Sequence, residues 1–533
     1  MPTPILLASL AALCVVSSAL GQTCPTCIPL TALGTGLYQG TFQGGLYPNG
    51  LNSPPEAHRA AIDGASRAIR PLDKAGTPTH DGLIGFITLG MSNATMEFGA
   101  TELLFDSNAM RNARVIMLNT ALGAHPIEII NDPNEDYWTL LDARITAAGL
   151  SRAQVQVLWI KQAFGTSPTT LFPQHARALQ EQYVLLINQA KQRFPNLRLA
   201  YLSSRIYGGY SSNSQRWEPL SYETGFAVKW LIEAQISGSD SRLRHTGADA
   251  PAPVLAWGPY IWANGTTPRS DGLTWQVSDF ESDRIHPNDA GRLKVAQQFM
   301  TVLSDPSRAG WAQGLPTSRV LTLDTVADAT IDATQPNSAL GTLASLRLDQ
   351  GRNVSLMRFD LSGVSGRVLH AKLYVRRGGS SSCAVGVRGP VASTWNESTV
   401  TWNTAPSIPP TTLVSLPDED DFGGTTSTWA FDLTPMVSTY VGGSLSLALA
   451  SLDDPGEVGI IRARESGAPA RLVLLVDYSD VNSDGRFTID DLYHQNQNPR
   501  DTNGDGVVAP SDLRDLEAWF RWYEIENMTN GRR

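Results

Sequence analysis

Cysteine, excess positive charge and long apolar runs are all scarce in this chain of 533 residues. Lys and Arg number 41 against 51 Asp and Glu, so the net charge is −10. This balance argues against a nucleic-acid-binding protein, which needs a basic face. Beyond the N-terminus, no stretch stays apolar for long enough to cross a bilayer. Charged residues make up 17% and hydrophobic residues 42% of the chain, an ordinary globular composition that excludes wholesale disorder.

The N-terminus has the pattern of an export signal. Residues 5–20 form a short apolar run, and Ala19-Leu20-Gly21 offers small residues at a plausible cleavage site. The run is too short and too early for a membrane span. We therefore predict a signal peptide over residues 1–21 and a secreted or cell-surface protein.

The four cysteines have different expected fates. Cys14 would leave with the signal peptide, and Cys383 is expected to be a lone buried thiol. Cys24 and Cys27 lie near the mature N-terminus and outside any βαβ pattern, which disfavours a redox motif. They form either a local disulfide or part of a loose tail.

The chain divides into three units, as its length suggests. Over residues 30–305, short apolar runs alternate with amphipathic segments, which predicts a parallel sheet covered by helices. Residues 306–317 are rich in Pro, Gly and Ser and are predicted to be a linker. Residues 318–478 contain short alternating runs separated by turn residues, which predicts an all-β sandwich. Residues 479–525 form a third, acidic unit.

A serine, an aspartate and a histidine stand where an α/β fold carries out its chemistry. Ser92 follows the first predicted strand of the α/β unit, and Asp283-Arg-Ile-His286 precedes a predicted helix. Such residues gather at the carboxyl ends of parallel strands. There His286 would take the proton of Ser92, and Asp283 would orient the imidazole. Each residue taken alone is equally typical of a turn or a helix cap.

The segments Gly90-Met-Ser-Asn93 and Asp283-Arg-Ile-His-Pro287 resemble motifs of the SGNH, or GDSL-like, hydrolases. The resemblance spans residues 30–305 and implies a flavodoxin-like three-layer α/β/α fold that hydrolyses esters. It also implies that Ser92 is the nucleophile, His286 the base and Asp283 its partner. For the oxyanion hole it points to Gly123 after the second strand and to Gln162, which stands near the place where the family has an Asn.

Residues 318–478 carry a second resemblance. Trp395-Asn-Glu397 and Val400-Thr-Trp402-Asn403 are similar to a pattern of the DNRLRE family, which is related to carbohydrate-binding modules. The resemblance implies polysaccharide binding on a β-sandwich. Trp402 is expected in the core, and Trp395 is either structural or a sugar platform.

Aromatic residues of the α/β unit leave a similar choice open. Trp257, Tyr260 and Trp262 precede the histidine loop. They either line a sugar-binding cleft by stacking or pack in the core. Lys161, at the end of the third predicted strand, is expected to be solvated or salt-bridged.

The third unit contains two acidic loops that share one spacing, with oxygen-bearing residues at alternate positions and Gly at position 6. In such a loop alternate residues point their oxygens inward, which suits Ca²⁺, and position 7 supplies a backbone carbonyl. The first loop would bind through Asp480, Asn482, Asp484, Arg486, Thr488 and Asp491, and the second through Asp501, Asn503, Asp505, Val507 and Asp512.

Paired loops of this kind resemble dockerin modules, small helical EF-hand-like units that dock onto cohesin proteins. The resemblance spans residues 479–525. It implies two structural calcium ions and a cohesin-like protein partner, and no cofactor is expected for catalysis.

Together these features predict a secreted serine esterase of SGNH type. It would hydrolyse acyl esters, with acetyl the first expectation, on a carbohydrate polymer through a Ser-His-Asp triad. The alternative is a non-catalytic extracellular protein that binds glycans or acts as a scaffold, with a degenerate hydrolase domain.

Overall fold

The computed structural model describes residues 23–79, 82–106, 108, 111–112, 114–166, 169–211, 213, 217–313, 318–378, 383–416, 428–482, 489–502, 507–517 and 520. The predicted signal peptide lies outside the described residues. Cys24 and Cys27 form a disulfide, which decides between the two alternatives left open for this pair. Cys383 is buried and not disulfide-bonded, as predicted. Among the described residues, no helix combines the length and apolarity needed to cross a bilayer.

The first unit is built on one parallel sheet. It opens with a short helix and a small antiparallel hairpin: α1 (Leu30–Leu33), β1 (Leu37–Tyr38) and β2 (Phe42–Gln43). The sheet then follows with β3 (Ile84–Gly90), β4 (Val115–Leu118), β5 (Val155–Lys161), β6 (Leu199–Leu202) and β7 (Val254–Trp257). Its strand order is β4-β3-β5-β6-β7, and all neighbours are parallel. Every residue of these five strands is buried, because helices cover both faces of the sheet. The α/β prediction is therefore confirmed.

The helices that cover the sheet include the crossover connections and helices before β3 and after β7. They are α2 (Glu56–Ala68), α3 (Ser92–Asp106), α4 (Ile127–Ile130), α5 (Asp136–Ala147), α6 (Gln174–Arg193), α7 (Leu220–Ser237), α8 (Asp289–Leu303) and α9 (Pro306–Ala309). The crossover connections are α3 to α7. Helices α3 and α8 pack against each other, as do α6 and α7. The side chain of Asn288 caps α8 by accepting the N–H groups of Ala290 and Gly291 at 3.0 and 3.2 Å.

The linker prediction is wrong for residues 306–313. This segment forms α9 and a 3₁₀ turn that belong to the α/β unit. Trp311 is buried with its ring 5.3 Å from that of Phe86 in β3. The amide N–H of Asn112 donates to the carbonyl of Ala312 at 2.7 Å. A large apolar side chain thus anchors a segment whose composition is otherwise typical of a linker.

The second unit is an antiparallel β-sandwich, as predicted. Its strands are β8 (Ser318–Asp324), β9 (Ala327–Asp332), β10 (Ser345–Leu348), β11 (Asn353–Asp360), β12 (Arg367–Arg376), β13 (Val385–Val391), β14 (Thr412–Leu416), β15 (Thr428–Asp432), β16 (Ser444–Ser451), β17 (Gly459–Arg462) and β18 (Arg471–Asp477). One sheet has the order β14-β13-β16-β11-β9, the other β15-β12-β18-β8, and β10 pairs with β17. A short helix, α10 (Thr434–Val437), follows β15.

The four-stranded sheet of the sandwich packs on the α/β unit. Alternate side chains of its strands, including Tyr374, Val473 and Leu475, belong to the apolar cluster of the α/β unit. Buried charges cross the same boundary. The ammonium of Lys372 in β12 lies 3.0 Å from a carboxylate oxygen of Glu102 in α3, and both side chains are at least 95% buried. The two units therefore meet at a buried interface that contains both apolar side chains and an ion pair.

The third unit is small. It contains α11 (Ile489–Gln497), and residues 510–517 are also helical. Its two halves repeat one contact. The N–H of Val481 donates to Oδ1 of Asp491 at 2.8 Å, and the N–H of Thr502 donates to Oδ1 of Asp512 at 2.8 Å. The internal duplication recognised in the sequence is thus visible in the backbone.

Candidate functional site

The proposed nucleophile, Ser92, is the first residue of α3, and only Met91 separates it from the end of strand β3. The turn between strand and helix needs a glycine at Gly90. A Cβ atom there would lie 2.3 Å from the Cβ of Ala94 and 2.8 Å from the carbonyl oxygen of Lys161. Close approach of helix and strand at Gly90 therefore sets where Ser92 stands, at the carboxyl edge of the sheet.

The loop before α8 brings His286 to this edge. Its Nε2 lies 2.8 Å from Oγ of Ser92, and its Nδ1 lies 2.5 Å from Oδ2 of Asp283. The three residues predicted from the sequence are thus in mutual hydrogen-bond contact. The His286 side chain is 20% exposed and Ser92 is partly exposed, so a ligand can reach both.

The other oxygen of Asp283 holds the loop in shape. Oδ1 accepts the N–H groups of Ile285 at 2.8 Å and of His286 at 3.0 Å. Burial by itself raises the pKa of the Asp283 carboxyl. The hydrogen bonds from the His286 ring and from these two N–H groups outweigh burial and hold the pKa of Asp283 below its usual value. Asp283 is therefore an anion at neutral pH, which suits a partner of an imidazolium.

Two positioning residues near the triad escaped the sequence analysis. Nδ2 of Asn93 donates to the carbonyl of Ile285 at 3.1 Å, which joins the start of α3 to the histidine loop. Nε of Arg292 donates to the carbonyl of Pro287 at 2.7 Å from the first turns of α8. Asn93 stands next to Ser92 in the sequence, but no pattern identifies a bond to residues almost two hundred positions away.

The backbone of the same loop is strained at Arg284, whose φ is 57°. A left-handed conformation costs a non-glycine residue on the order of 1–2 kcal/mol. Strain of this kind persists where surrounding contacts impose it, and here the two bonds to Asp283 do so.

The chain offers two unused backbone donors beside Ser92. Within the described residues, the N–H groups of Ser92 and Gly123 have no protein acceptor. Gly123 is held next to the nucleophile turn, because the N–H of Leu122 donates to the carbonyl of Gly90 at 3.1 Å. An oxyanion hole requires free N–H groups beside the nucleophile.

Gln162 does not fit the oxyanion role expected of it. It is 1% exposed, and its Nε2 donates to the carbonyl of His125 at 3.0 Å. Its Oε1 accepts the N–H of Ala163 at 3.3 Å. The side chain is turned into the protein and supports the loop that carries Gly123. Gln162 therefore stabilises the neighbouring loop, because its side chain, one methylene longer than that of Asn, reaches the carbonyl of His125.

A buried ion pair lies beneath the site. Nζ of Lys161, the last residue of β5, is 2.5 Å from both carboxylate oxygens of Glu97 in α3. Lys161 is 4% exposed and Glu97 is fully buried, so Lys161 is salt-bridged rather than solvated. The pair joins β5 to the helix that begins at Ser92.

All four aromatic residues considered for sugar stacking are buried. Trp257, Tyr260 and Trp262 are 1%, 4% and 0% exposed, which removes the alternative of a stacking cleft. In the sandwich, Trp395 is 6% exposed and donates its Nε1–H to Oγ of Ser446 at 3.3 Å, so it is structural as well. Trp402, which was expected in the core, is half-buried against a small apolar cluster.

The calcium-loop residues can be located in part. Asp480, Asn482, Asp491, Asp501, Val507 and Asp512 are described, whereas Asp484, Arg486, Thr488, Asn503 and Asp505 lie outside the described residues. The carboxylates at loop position 12, Asp491 and Asp512, are fully buried. Oδ1 of each accepts a backbone N–H, and Oδ2 of Asp512 also accepts the N–H of Ala509 at 2.7 Å. An all-oxygen donor set around buried carboxylates fits a hard cation such as Ca²⁺.

One family model matches part of the chain. Residues 319–477 match the model of carbohydrate-binding module family 96. The match covers the β-sandwich and confirms its similarity to carbohydrate-binding modules. No curated protein sequence matches the chain.

Several solved structures are similar to part of the chain. A putative acylhydrolase from Bacteroides fragilis is 11% identical, with a TM-score of 0.26, and the match covers 47% of this chain and 96% of that one. An acetyl xylan esterase, AlAXEase, is 14% identical with a TM-score of 0.23 and coverages of 41% and 98%. An extracellular lipase from Streptomyces rimosus is 12% identical with a TM-score of 0.22 and coverages of 40% and 99%. At these values the assignment of function depends on the geometry of the site itself.

Proposed function

We propose that this chain is a secreted serine esterase of SGNH type that removes acyl groups, acetyl foremost, from a carbohydrate polymer. One observation carries the proposal. Oγ of Ser92, the ring of His286 and the carboxylate of Asp283 form a continuous hydrogen-bonded series with distances of 2.8 and 2.5 Å. Such a series is the arrangement that activates a serine hydroxyl.

The geometry supports a two-step reaction. Nε2 of His286 takes the proton of Ser92 as Oγ attacks the ester carbonyl, and Asp283 stabilises the imidazolium. The N–H groups of Ser92 and Gly123 receive the oxyanion. His286 then gives its proton to the departing sugar oxygen, which leaves an acyl group on Ser92. A water molecule, deprotonated by His286, hydrolyses this acyl-enzyme and restores the serine.

A carbohydrate substrate is proposed because of the second unit. The sandwich matches a carbohydrate-binding module and is joined to the α/β unit by a buried boundary. A polymer held on the sandwich would stay near Ser92, which raises its effective concentration there. The alternative, a glycan-binding protein without turnover, makes no use of the Ser92–His286 contact.

Hydrolysis of p-nitrophenyl acetate tests the activity. We expect Ser92→Ala and His286→Ala to lower kcat/KM by about 10⁴-fold or more, and Asp283→Asn by about 10⁴-fold. Ser237→Ala, an exposed serine on α7, is the matched control and should leave the rate unchanged. Acetate release from a panel of acetylated polysaccharides then identifies the polymer.

Labelling by a fluorophosphonate probe separates the two candidate functions. Labelling of the wild type that is lost in Ser92→Ala supports the esterase. A wild type that neither labels nor hydrolyses the ester faster than Ser92→Ala supports the binding protein.

For the third unit we propose two structural calcium ions and a role in docking onto a cohesin-like protein. The repeated contacts of Asp491 and Asp512 support the calcium loops. Calcium titration by calorimetry tests them. Asp491→Asn and Asp512→Asn should each remove one ion, and chelation should unfold this unit only. Unchanged binding in both variants would refute the assignment.

A further inference from the structure

Three carboxylates meet at one end of the β-sandwich, outside both the triad and the calcium loops. Asp328 is the second residue of β9, Glu397 lies between β13 and β14, and Glu465 follows β17. One carboxylate oxygen from each lies within 4.8 Å of the other two. Like charges this close repel one another unless a cation or a proton lies among them.

Of the three carboxylates, Asp328 has an oxygen without a hydrogen-bond donor. It is 1% exposed. Its Oδ2 accepts the N–H of Arg464 at 2.9 Å, but its Oδ1 is buried and has no hydrogen-bond partner in the described part of the chain. A buried acceptor without a donor is destabilising and points to a missing partner.

The guanidinium of Arg464 is not the missing partner of Asp328 Oδ1. Its Nη2 lies 2.5 Å from Oε2 of Glu397 and 2.9 Å from Oε1 of Glu465, so the guanidinium serves the two glutamates. Three ionised carboxylates and one guanidinium leave a charge of −2 in the group. A divalent cation would cancel that charge, and the buried carboxylate of Asp328, whose Oδ1 accepts no hydrogen bond from the described residues, offers a ligand.

We propose that Asp328, Glu397 and Glu465 bind one divalent cation of the hard, oxygen-preferring class, with Ca²⁺ as the ion to test. Ca²⁺ lies about 2.3–2.6 Å from its oxygen ligands, so two ligands on one ion are at most about 5 Å apart. The spread of the three oxygens fits that limit. The ion joins β9 to the segments after β13 and β17, and its role is to stabilise the sandwich.

A proton is the competing solution. Burial raises the pKa of Asp328 to about 7, so a neutral Asp328 would also reduce the repulsion. Glu465 and Glu397 contribute to this shift, and Arg464 opposes it. The two solutions differ in one respect. Replacing Asp328 by Asn mimics the protonated acid but removes a ligand of the ion.

The test uses the full chain with Asp491→Asn and Asp512→Asn as background, so that the third unit does not contribute. Bound Ca²⁺ is measured by equilibrium dialysis at about 1 mM free ion, and Tm is measured with Ca²⁺ or with a chelator. We expect one ion per chain in the background protein and none after Asp328→Asn. Asp454→Asn, which replaces an exposed carboxylate of the same sandwich, is the matched control and should keep the ion.

Thermal stability provides the second measurement. We expect Ca²⁺ to raise Tm of the background protein by several degrees and to leave Asp328→Asn unchanged. Should Asp328→Asn not fold, Glu465→Gln, on the exposed side of the cluster, is expected to weaken Ca²⁺ binding at least tenfold. No bound ion in the background protein would overturn the proposal. A Tm of Asp328→Asn above that of the background protein in both buffers would do so as well, since a proton then occupies the site.

Discussion

The buried pair between Lys372 and Glu102 predicts that the β-sandwich stabilises the α/β unit. Lys372 lies in β12 of the sandwich, and its ammonium also donates to the carbonyl of Met117 at 2.8 Å. Glu102 lies in α3, the helix that begins with Ser92. Replacing Lys372 by Met keeps most of the side-chain volume but leaves the buried Glu102 carboxylate without its countercharge, with the hydroxyl of Tyr374 as a neutral hydrogen-bond partner. Loss of one member of a buried pair costs about 3–5 kcal/mol of unfolding free energy.

The pH dependence of this loss follows from Glu102. Burial raises the pKa of its carboxyl, and Lys372 opposes that shift. Without Lys372 the folded protein holds a proton on Glu102 at pH values where the unfolded chain has lost it. Stability then falls as the pH rises above the unfolded pKa, by up to about 1.4 kcal/mol per pH unit. We therefore expect Lys372→Met to be more damaging at pH 8 than at pH 5.

Urea denaturation of the full chain measures the effect at both pH values. Lys372→Met combined with Glu102→Leu removes both charges and should restore most of the lost stability. Arg67→Ala is the matched control, because Arg67 pairs with Asp63 at 3.0 Å on an exposed helix face. Such a pair contributes about 0.5 kcal/mol or less.

A small effect would refute this reasoning. If Lys372→Met destabilises the protein no more than Arg67→Ala, the sandwich is not held by the buried pair. A loss of equal size at pH 5 and pH 8 would show that Glu102 does not take up the proton. Ester hydrolysis is measured in parallel, since a displaced α3 would move Ser92.

Three further predictions concern single positions. Burial raises the pKa of Glu218 to about 7, although three N–H groups that donate to its carboxylate oppose this shift. The free energy of unfolding should therefore fall by about 3 kcal/mol from pH 4.5 to 7. Glu218→Gln should flatten this fall in denaturation curves, and an unchanged slope would contradict the assignment. Gly90→Ala should destabilise the protein by about 1–3 kcal/mol and lower kcat, since its Cβ would clash with Ala94. Gln162→Ala should lower kcat less than tenfold, whereas loss of a true oxyanion donor costs about 10²–10³-fold.

The sequence was most informative where a feature is local. The five strands of the α/β unit are continuous apolar runs, and such runs are buried on both faces of a parallel sheet. Asp283 and His286 are three residues apart, so one loop presents both. The calcium-loop pattern depends on spacing within twelve residues. In each case the chemistry is encoded by neighbours along the chain, and a pattern can reveal it.

Contacts between distant segments were decided only by the tertiary structure. The direction of the Gln162 side chain depends on the loop of His125, which lies on a different connection. Trp311 turned an expected linker into part of the core because a pocket beside Phe86 accepts it. Asp328 meets its two acidic neighbours only when the sandwich closes.

The difference between local patterns and distant contacts also explains why the sequence did not predict the interface between the α/β unit and the sandwich. Composition marked residues 318–478 as a separate unit, because strand patterns report burial but not the partner that causes it. The charges that pair across the boundary, Lys372 and Glu102, are separated by most of the α/β unit and have no local signature. The sequence thus determined the elements, the residues of the proposed triad and the repeats. Packing decided which surfaces face each other, since burial of charge and apolar area is a property of the assembled chain.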